Sequence, residues 1–190
     1  MTKSFSRKLY LASTSLRRRE LLRTLDIRFE VCPPQFEEKP TSRSARDEVL
    51  YFAEQKAKSV MAHCPNALIL ASDTLVACGK NKIGKPRDAA EAVTILRELS
   101  GKKHTVYTAL VLIDTQNGSL RREVEDTQVI FRTLSDQEIQ DYVATGEPLG
   151  KAGAYAIQGK ARVFVTGIEG EEEVVIGLPL KTVVKWLKKW

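Results

Sequence analysis

The chain has 190 residues, of which 43% are hydrophobic and 28% are charged, and its net charge is +6. No apolar run approaches the roughly 20 residues that a membrane-spanning helix needs, and 24 acidic side chains are interleaved with the 30 basic ones. The composition therefore argues against a membrane protein and against nucleic acid as the main partner. We expect one cytoplasmic domain over residues 1–190.

The first half of the chain predicts strands and helices in alternation. The segment KLYLAS reads as a short strand, and Ser15 after it can cap a helix. The run RFEVCPP indicates a second strand that its prolines end. Apolar residues at helical spacing then predict a long amphipathic helix from about Ser44 to Met61.

A further helix and a hairpin are predicted in the middle of the chain. Asp88 and Glu91 are spaced as a capping box, and Gly101 marks the end of the helix that they begin. Two β-rich runs follow, on either side of the pair Asn117 and Gly118, which is a strong hairpin-turn signal. This combination of crossovers and a hairpin indicates an α/β protein with a mixed sheet.

The last third of the chain predicts one strand between two helices. Ser135 and Glu138 form another capping-box pattern. The run RVFVTGIEG reads as a strand, and the last helix begins near Pro179.

The three cysteines carry no expected chemistry. Cys32, Cys64 and Cys78 are far apart and form no CxxC motif, so neither a zinc site nor a disulfide framework is indicated. Free cysteines commonly behave as small apolar residues, and we expect three reduced, partly buried thiols.

An arginine cluster at a helix start is the first candidate site. Ser13 and Ser15 offer hydroxyl groups where a strand passes into a helix, and Arg17, Arg18 and Arg19 follow at once. Arginine in the first helical turn is unfavourable against the helix dipole, so this cluster is explained if it faces a phosphate. The alternative is a solvated helix face whose arginines pair with acids.

The second candidate site follows a buried strand. The continuous apolar run NALILAS is typical of a strand covered on both faces, and it delivers Asp73 at its C-terminal end. Thr74 comes next, and Lys85 lies in a glycine-flanked loop. Asp73 could hold Mg²⁺ or Mn²⁺, whose coordination a phosphate chain usually completes. A strand-end aspartate that only caps a turn is the alternative.

Three weaker signals concern residues elsewhere in the chain. Glu37 and Glu38 follow a predicted strand, and Lys56 lies on the long helix, where each would ordinarily be a surface charge. Gln158 ends the glycine-rich segment KAGAYAIQG, and its amide offers both a donor and an acceptor to a base edge.

Five motifs together resemble the Maf family of nucleoside triphosphate pyrophosphatases, in order and over nearly the whole chain. They are LASTSLRRRELL, SDTLVACGKNKIGKPRDAAEA, LRELSGKKHTVYTALVL, GEPLGKAGAYAIQG and IEGEEEVVIGLPL. The resemblance implies an α/β fold of the inosine-triphosphatase-like kind, with an elongated mixed β-sheet flanked by helices and two lobes around a central cleft. It also implies a homodimer.

The resemblance implies a reaction and a set of site residues. The reaction is metal-dependent hydrolysis of a nucleoside triphosphate to the monophosphate and pyrophosphate, with Mg²⁺ or Mn²⁺ as the cofactor. Asp73 resembles the family's proton acceptor and would also bind the metal, and Glu37 resembles its acidic metal-side residue. Roles in substrate binding or substrate choice are implied for Ser13, Arg17, Arg18, Lys56, Thr74, Lys85 and Gln158.

The expected substrates are pyrimidine nucleotides. The segment KAGAYAIQG is similar to that of the dTTP and UTP pyrophosphatase branch, and CTP or modified pyrimidine nucleotides remain open. One alternative is the branch that acts on 7-methyl-GTP. Another is a non-catalytic regulator of cell division that binds nucleotides or nucleic acid, which the intact pair of Asp73 and Lys85 disfavours.

Overall fold

The computed structural model describes residues 7–188. The strands are β1 (Lys8–Ala12), β2 (Glu30–Val31), β3 (Ala67–Cys78), β4 (Asn81–Ile83), β5 (Lys103–Asp114), β6 (Leu120–Phe131) and β7 (Val165–Glu169). The α-helices are α1 (Leu16–Arg23), α2 (Ala45–Ser59), α3 (Ala89–Leu99), α4 (Asp136–Ala144), α5 (Glu172–Ile176) and α6 (Leu180–Leu187). Short 3₁₀ helices occupy Met61–His63, Ala152–Ala154 and Lys160–Phe164. None of the helices described here is long and apolar enough to cross a bilayer.

The described strands form one sheet, in the order β2-β1-β3-β5-β6-β7, with β4 paired to β3 outside this path. Strand β1 runs parallel to β2 and to β3, whereas β4 runs antiparallel to β3 and β7 runs antiparallel to β6. The sheet is therefore mixed and helices separate its strands along the chain, which confirms the predicted α/β class.

The chain divides into two compact units. Of the described residues, the first unit holds 7–73, 108–125 and 177–188, and the second holds 74–107 and 126–176. Each has an apolar core of its own, with leucines of β1, α1 and β3 fully buried in the first and residues of α3 and Phe131 buried in the second. The expected single domain over residues 1–190 stays a prediction.

Polar side chains begin the helices where the sequence predicts them. The Ser15 hydroxyl caps α1, and α2 begins after Ser44 in the same way. The capping box of Ser135 and Glu138 is complete at α4. At α3, Asp88 accepts from the backbone N–H of Glu91, but the Glu91 carboxylate accepts from Arg87 instead of from Asp88. The predicted capping box of Asp88 and Glu91 therefore lacks its reciprocal hydrogen bond.

Strand β3 is longer than predicted, and this corrects the position of Asp73. The strand continues through Asp73 to Cys78, so that Asp73 lies in its middle and not at its C-terminal end. The reason is the run TLVAC after Asp73, which pairs with β4, where Val76 is opposite Ile83. Gly79, at the turn after β3, has a φ of +58°, which lets the chain reverse and continue as β4.

Two predicted strands are shorter than their β-rich sequence indicates. Strand β2 is limited to Glu30–Val31 because Pro33 and Pro34 have no N–H to donate to a neighbouring strand. Strand β7 begins only at Val165, because the residues before it form a 3₁₀ helix that buries Phe164.

The cysteines are largely buried. Cys64 and Cys78 are buried, Cys32 is partly buried, and none of the three is joined to another within residues 7–188. Their burial agrees with the prediction that they act as small apolar residues, and their reduced state stays a prediction.

A buried histidine lies in the aromatic core of the second unit. This residue is His104, and its Nε2 atom is 2.9 Å from the hydroxyl oxygen of Tyr155. The ring packs edge-on against Phe131 with 4.9 Å between centroids. Burial lowers the pKa of His104 from 6.5 to about 4, since an imidazolium ion would lose its hydration there.

This burial predicts an acid-sensitive stability. Between pH 6.5 and pH 4 the unfolded chain binds a proton that folded His104 does not, so the free energy of unfolding should fall by about 3 kcal/mol as the pH drops through that window. Urea unfolding at several pH values measures this. His104→Asn should flatten the dependence, while His63→Asn, at an exposed histidine, should leave it unchanged. Equal pH profiles for wild type and His104→Asn would contradict the assignment.

Candidate active site

The first compact unit brings one lysine and two carboxylates together. Lys56, on α2, forms an ion pair with Asp73, and its Nζ atom lies 2.5 Å from Oε1 of Glu38. Lys56 is only 6% exposed and Asp73 only 3%, so water can solvate neither charge well. A buried ammonium group is tolerated when carboxylates pair with it. We call Lys56, Asp73 and Glu38 the Lys56 cluster.

The two adjacent glutamates have different surroundings. Glu37 has a side chain that is 78% exposed, and its Oε2 atom lies 3.1 Å from the ammonium of Lys39. Of the two adjacent glutamates, Glu38 reaches Lys56, whereas Glu37 pairs with Lys39. The structure brings Glu38 to the cluster and does not bring Glu37 there, which departs from the assignment that the resemblance implied.

The carbonyl oxygen of Gly177 joins the cluster region to α1. It accepts hydrogen bonds from Nε of Arg18 at 2.9 Å and from the hydroxyl of Ser72 at 2.8 Å. Ser72 directly precedes Asp73 on β3, so the carbonyl holds Arg18 beside that strand. Gly177 has a φ of +113°, a conformation that other residues rarely adopt.

The Arg18 guanidinium lies in the field of both carboxylates. Burial lowers the pKa of Arg18, while the negative charges of Asp73 and Glu38 act in the opposite direction. Arginine nevertheless remains protonated in proteins. The site therefore combines two cationic and two anionic side chains, which is the chemistry required to bind a phosphate group together with a metal ion.

The start of α1 has the predicted arrangement. Ser13 is 4% exposed, and its hydroxyl oxygen accepts from the backbone N–H of Ser15 at 3.1 Å. The Ser15 hydroxyl accepts in turn from the backbone N–H of Arg18. Arg17 is half-buried in the first turn of the helix. The helix start predicted from the sequence is confirmed, and phosphate binding there stays a prediction.

Three of the predicted site residues belong to the second compact unit. Thr74 lies on β3 and is partly buried, whereas Lys85 is exposed in the loop between β4 and α3. Gln158 is exposed between two 3₁₀ helices. The backbone N–H of Gly153 donates to the carbonyl of Gly84 at 3.0 Å, so the segment leading to Gln158 is joined to the loop that carries Lys85.

Steric constraints explain why the central residue of KAGAY is a glycine. Gly153 has a φ of +73°, and a Cβ atom there would lie 2.8 Å from Cγ2 of Val76. Both the backbone conformation and the space exclude a larger residue. The glycine-rich segment can therefore approach the loop of Lys85 closely.

The carboxylates of Asp73 and Glu38 fit a divalent metal ion. Both reach a single cation, the Lys56 ammonium, so their oxygen atoms converge on one place. Mg²⁺ typically binds one or two carboxylates and completes its coordination with water and substrate phosphates. No group of three or more His, Cys, Asp and Glu side chains within residues 7–188 could hold a metal alone. The donor set thus suits a metal ion that binds together with a phosphate chain.

The sequence did not decide between Glu37 and Glu38, and it did not reveal the contribution of Gly177. Glu38 was available as the neighbour of Glu37, but no local pattern decides which of two adjacent acids faces a lysine on a distant helix. The contribution of Gly177 is made by its backbone carbonyl. Its sequence signal was only a glycine in the motif GLPL.

Comparison with known proteins agrees with this description. Residues 8–190 match the family model described as Maf-like protein. A dTTP/UTP pyrophosphatase of Carboxydothermus hydrogenoformans is 43% identical over 96% of this chain and 98% of that protein. Proteins of the same name from Yersinia pestis and Myxococcus xanthus are 48% and 47% identical, over 90% and 95% of this chain and 87% and 91% of theirs. With matches of this extent, the resemblance is confirmed, and the chain belongs to the Maf family.

Proposed function

We propose that this chain hydrolyses dTTP and UTP to the monophosphate and pyrophosphate with the help of a divalent metal ion. The observation that carries the proposal is the Lys56 cluster, in which two carboxylates share one buried cation next to Arg18. Relatives that are 43% to 48% identical bear the name dTTP/UTP pyrophosphatase, which supports the same substrates here.

Each charged side chain of the site has a separate role in the proposed reaction. Asp73 accepts the proton of the attacking water, and Lys56 orients its carboxylate through the buried ion pair. A bound Mg²⁺ or Mn²⁺ ion would lower the pKa of a coordinated water molecule and neutralise phosphate charge. Asp73 and Glu38 would hold that ion. Arg18, fixed by the carbonyl of Gly177, binds the phosphate chain electrostatically.

The remaining predicted residues serve substrate binding. Ser13 and Arg17 extend the phosphate site at the start of α1, and Lys85 supplies a further cation. Gln158 reads the base through an amide that both donates and accepts, with Thr74 as a second polar contact. We also infer a homodimer, as the family resemblance implies, and a cytoplasmic location, as the composition indicates.

The substrate assignment is tested with a panel of nucleotides. We expect pyrophosphate release from dTTP and UTP in the presence of Mg²⁺ or Mn²⁺, and a kcat/KM at least tenfold lower for 7-methyl-GTP. CTP and modified pyrimidine triphosphates belong in the same panel. A preference for 7-methyl-GTP would contradict the branch assignment, and no release from any nucleotide would contradict the proposed hydrolase.

The role of Asp73 predicts a severe loss of activity. Asp73→Asn keeps the size of the side chain but removes the proton acceptor, so kcat should fall by a factor of about 100 to 10,000. Circular dichroism and thermal unfolding serve to show that the variant stays folded. A folded Asp73→Asn protein with wild-type kcat would overturn this assignment.

The adjacent glutamates offer a matched comparison. Glu38→Gln should lower the activity by about 10-fold to 100-fold and raise the Mg²⁺ concentration needed for half-maximal rate, because a metal-side carboxylate is lost. Glu37→Gln removes the same charge one residue away, and its activity should stay within about twofold of wild type. The reverse result would return the metal-side role to Glu37.

A further inference from the structure

A pocket that is distinct from the candidate active site lies in the first compact unit, on α1 and the segment that follows it. It has a volume of about 810 Å³, and its walls include Arg19 and Arg23 of α1, Arg28, and the apolar side chains of Ile27 and Phe29. We call it the α1–β2 pocket. Neither Arg18 nor any member of the Lys56 cluster lines it.

The walls of the α1–β2 pocket are strongly basic. Besides the three arginines named above, Arg7 and Lys8 line it, and the only acidic lining residue is Glu30. Arg7 pairs with the buried Asp114, and Lys8 lies 3.2 Å from Glu30. These two cations are therefore already compensated.

The other three arginines have no such compensation. Within residues 7–188, no acidic side chain pairs with Arg19, Arg23 or Arg28. The Nε atom of Arg19 is buried and lacks a hydrogen-bond partner among the described residues. A buried donor of a charged group that stays unpaired is costly, and an anion that accepts from it removes that cost.

The spacing of the arginines concentrates their charge. Arg19 and Arg23 are four residues apart on α1 and therefore project from the same face of the helix, where like charges repel. A ligand with two or more negative charges would turn this repulsion into attraction. Guanidinium groups also match the geometry of phosphate oxygens.

The dimensions of the pocket favour a small ligand over a nucleic-acid backbone. Its volume falls in the range of roughly 300–1,000 Å³ that is usual for small-molecule sites. The exposed acids Glu20 and Asp26 flank the arginines in the chain and would repel a long polyanion. Ile27 and Phe29 provide an apolar wall for the non-phosphate part of a ligand.

We propose that the α1–β2 pocket is a second anion site, at which Arg19, Arg23 and Arg28 bind a small molecule that carries two or more phosphate charges. This binding is separate from the proposed hydrolysis, since neither Arg18 nor the Lys56 cluster takes part in it. Consecutive arginines of one helix thus serve different sites: Arg18 the candidate active site, and Arg19 the α1–β2 pocket.

Calorimetric titration of the full chain with pyrophosphate, in buffer without divalent metal, tests the proposal. In Arg19→Gln/Arg23→Gln, binding at the second site should weaken by about 100-fold, tenfold for each lost guanidinium contact. The number of pyrophosphate ions bound per chain should therefore fall by one. Arg28→Gln alone should weaken the same event by about tenfold.

The control removes the same charge elsewhere. Arg97→Gln/Arg162→Gln replaces two exposed arginines that pair with Asp136 and Glu172, and it should keep the wild-type stoichiometry. Equal binding by wild type and Arg19→Gln/Arg23→Gln would overturn the proposal. The proposal would also be overturned if Arg19→Gln/Arg23→Gln lost binding to a single-stranded oligonucleotide but kept wild-type binding to pyrophosphate.

A rate measurement separates this proposal from the proposed function. The kcat and KM for dTTP in Arg19→Gln/Arg23→Gln should stay within about twofold of wild type. A fall of tenfold or more in kcat/KM would assign these arginines to the active site and overturn the idea of a separate pocket. The number of pyrophosphate ions bound per chain still tests the second site even if the protein hydrolyses no nucleotide.

Discussion

A lysine ammonium shared by two carboxylates is the interaction on which the candidate active site depends. Lys56 and Asp73 are almost fully buried, and Glu38, whose side chain is 32% exposed, reaches the same ammonium group. Removing Lys56 would take this partner away from the buried Asp73 carboxylate, so helix α2, strand β3 and the segment before α2 are held in register by electrostatics as well as by apolar packing. The same convergence of oxygen atoms is what makes a metal ion chemically suitable there.

Helical geometry explains why three consecutive arginines need not act together. Successive residues of an α-helix are rotated by about 100° from one another, so Arg18 and Arg19 leave α1 in different directions. Arg18 donates to the carbonyl of Gly177, while Arg19 lines the α1–β2 pocket. A run of like residues in a sequence is therefore not a single functional unit when it lies on a helix.

Local signals were sufficient for most elements and insufficient for the site. Ser15 and Ser135 begin helices as their capping patterns predict, because a cap involves only residues within one turn. The apolar run before Asp73 identified a strand, but its length depends on pairing with β4, which that run does not reveal. The choice between Glu37 and Glu38 depends on a lysine of another element, and such contacts have no local signature.

The hydrogen bond between Arg18 and Gly177 has a consequence for protein synthesis. It links residues that are 159 positions apart, so the acceptor of both Arg18 and Ser72 leaves the ribosome long after α1 does. Until then α1 can fold, but its guanidinium lacks the carbonyl that orients it. A nascent chain that ends before Gly177 thus cannot assemble this constellation, so the site can form only after residue 177 has been synthesised.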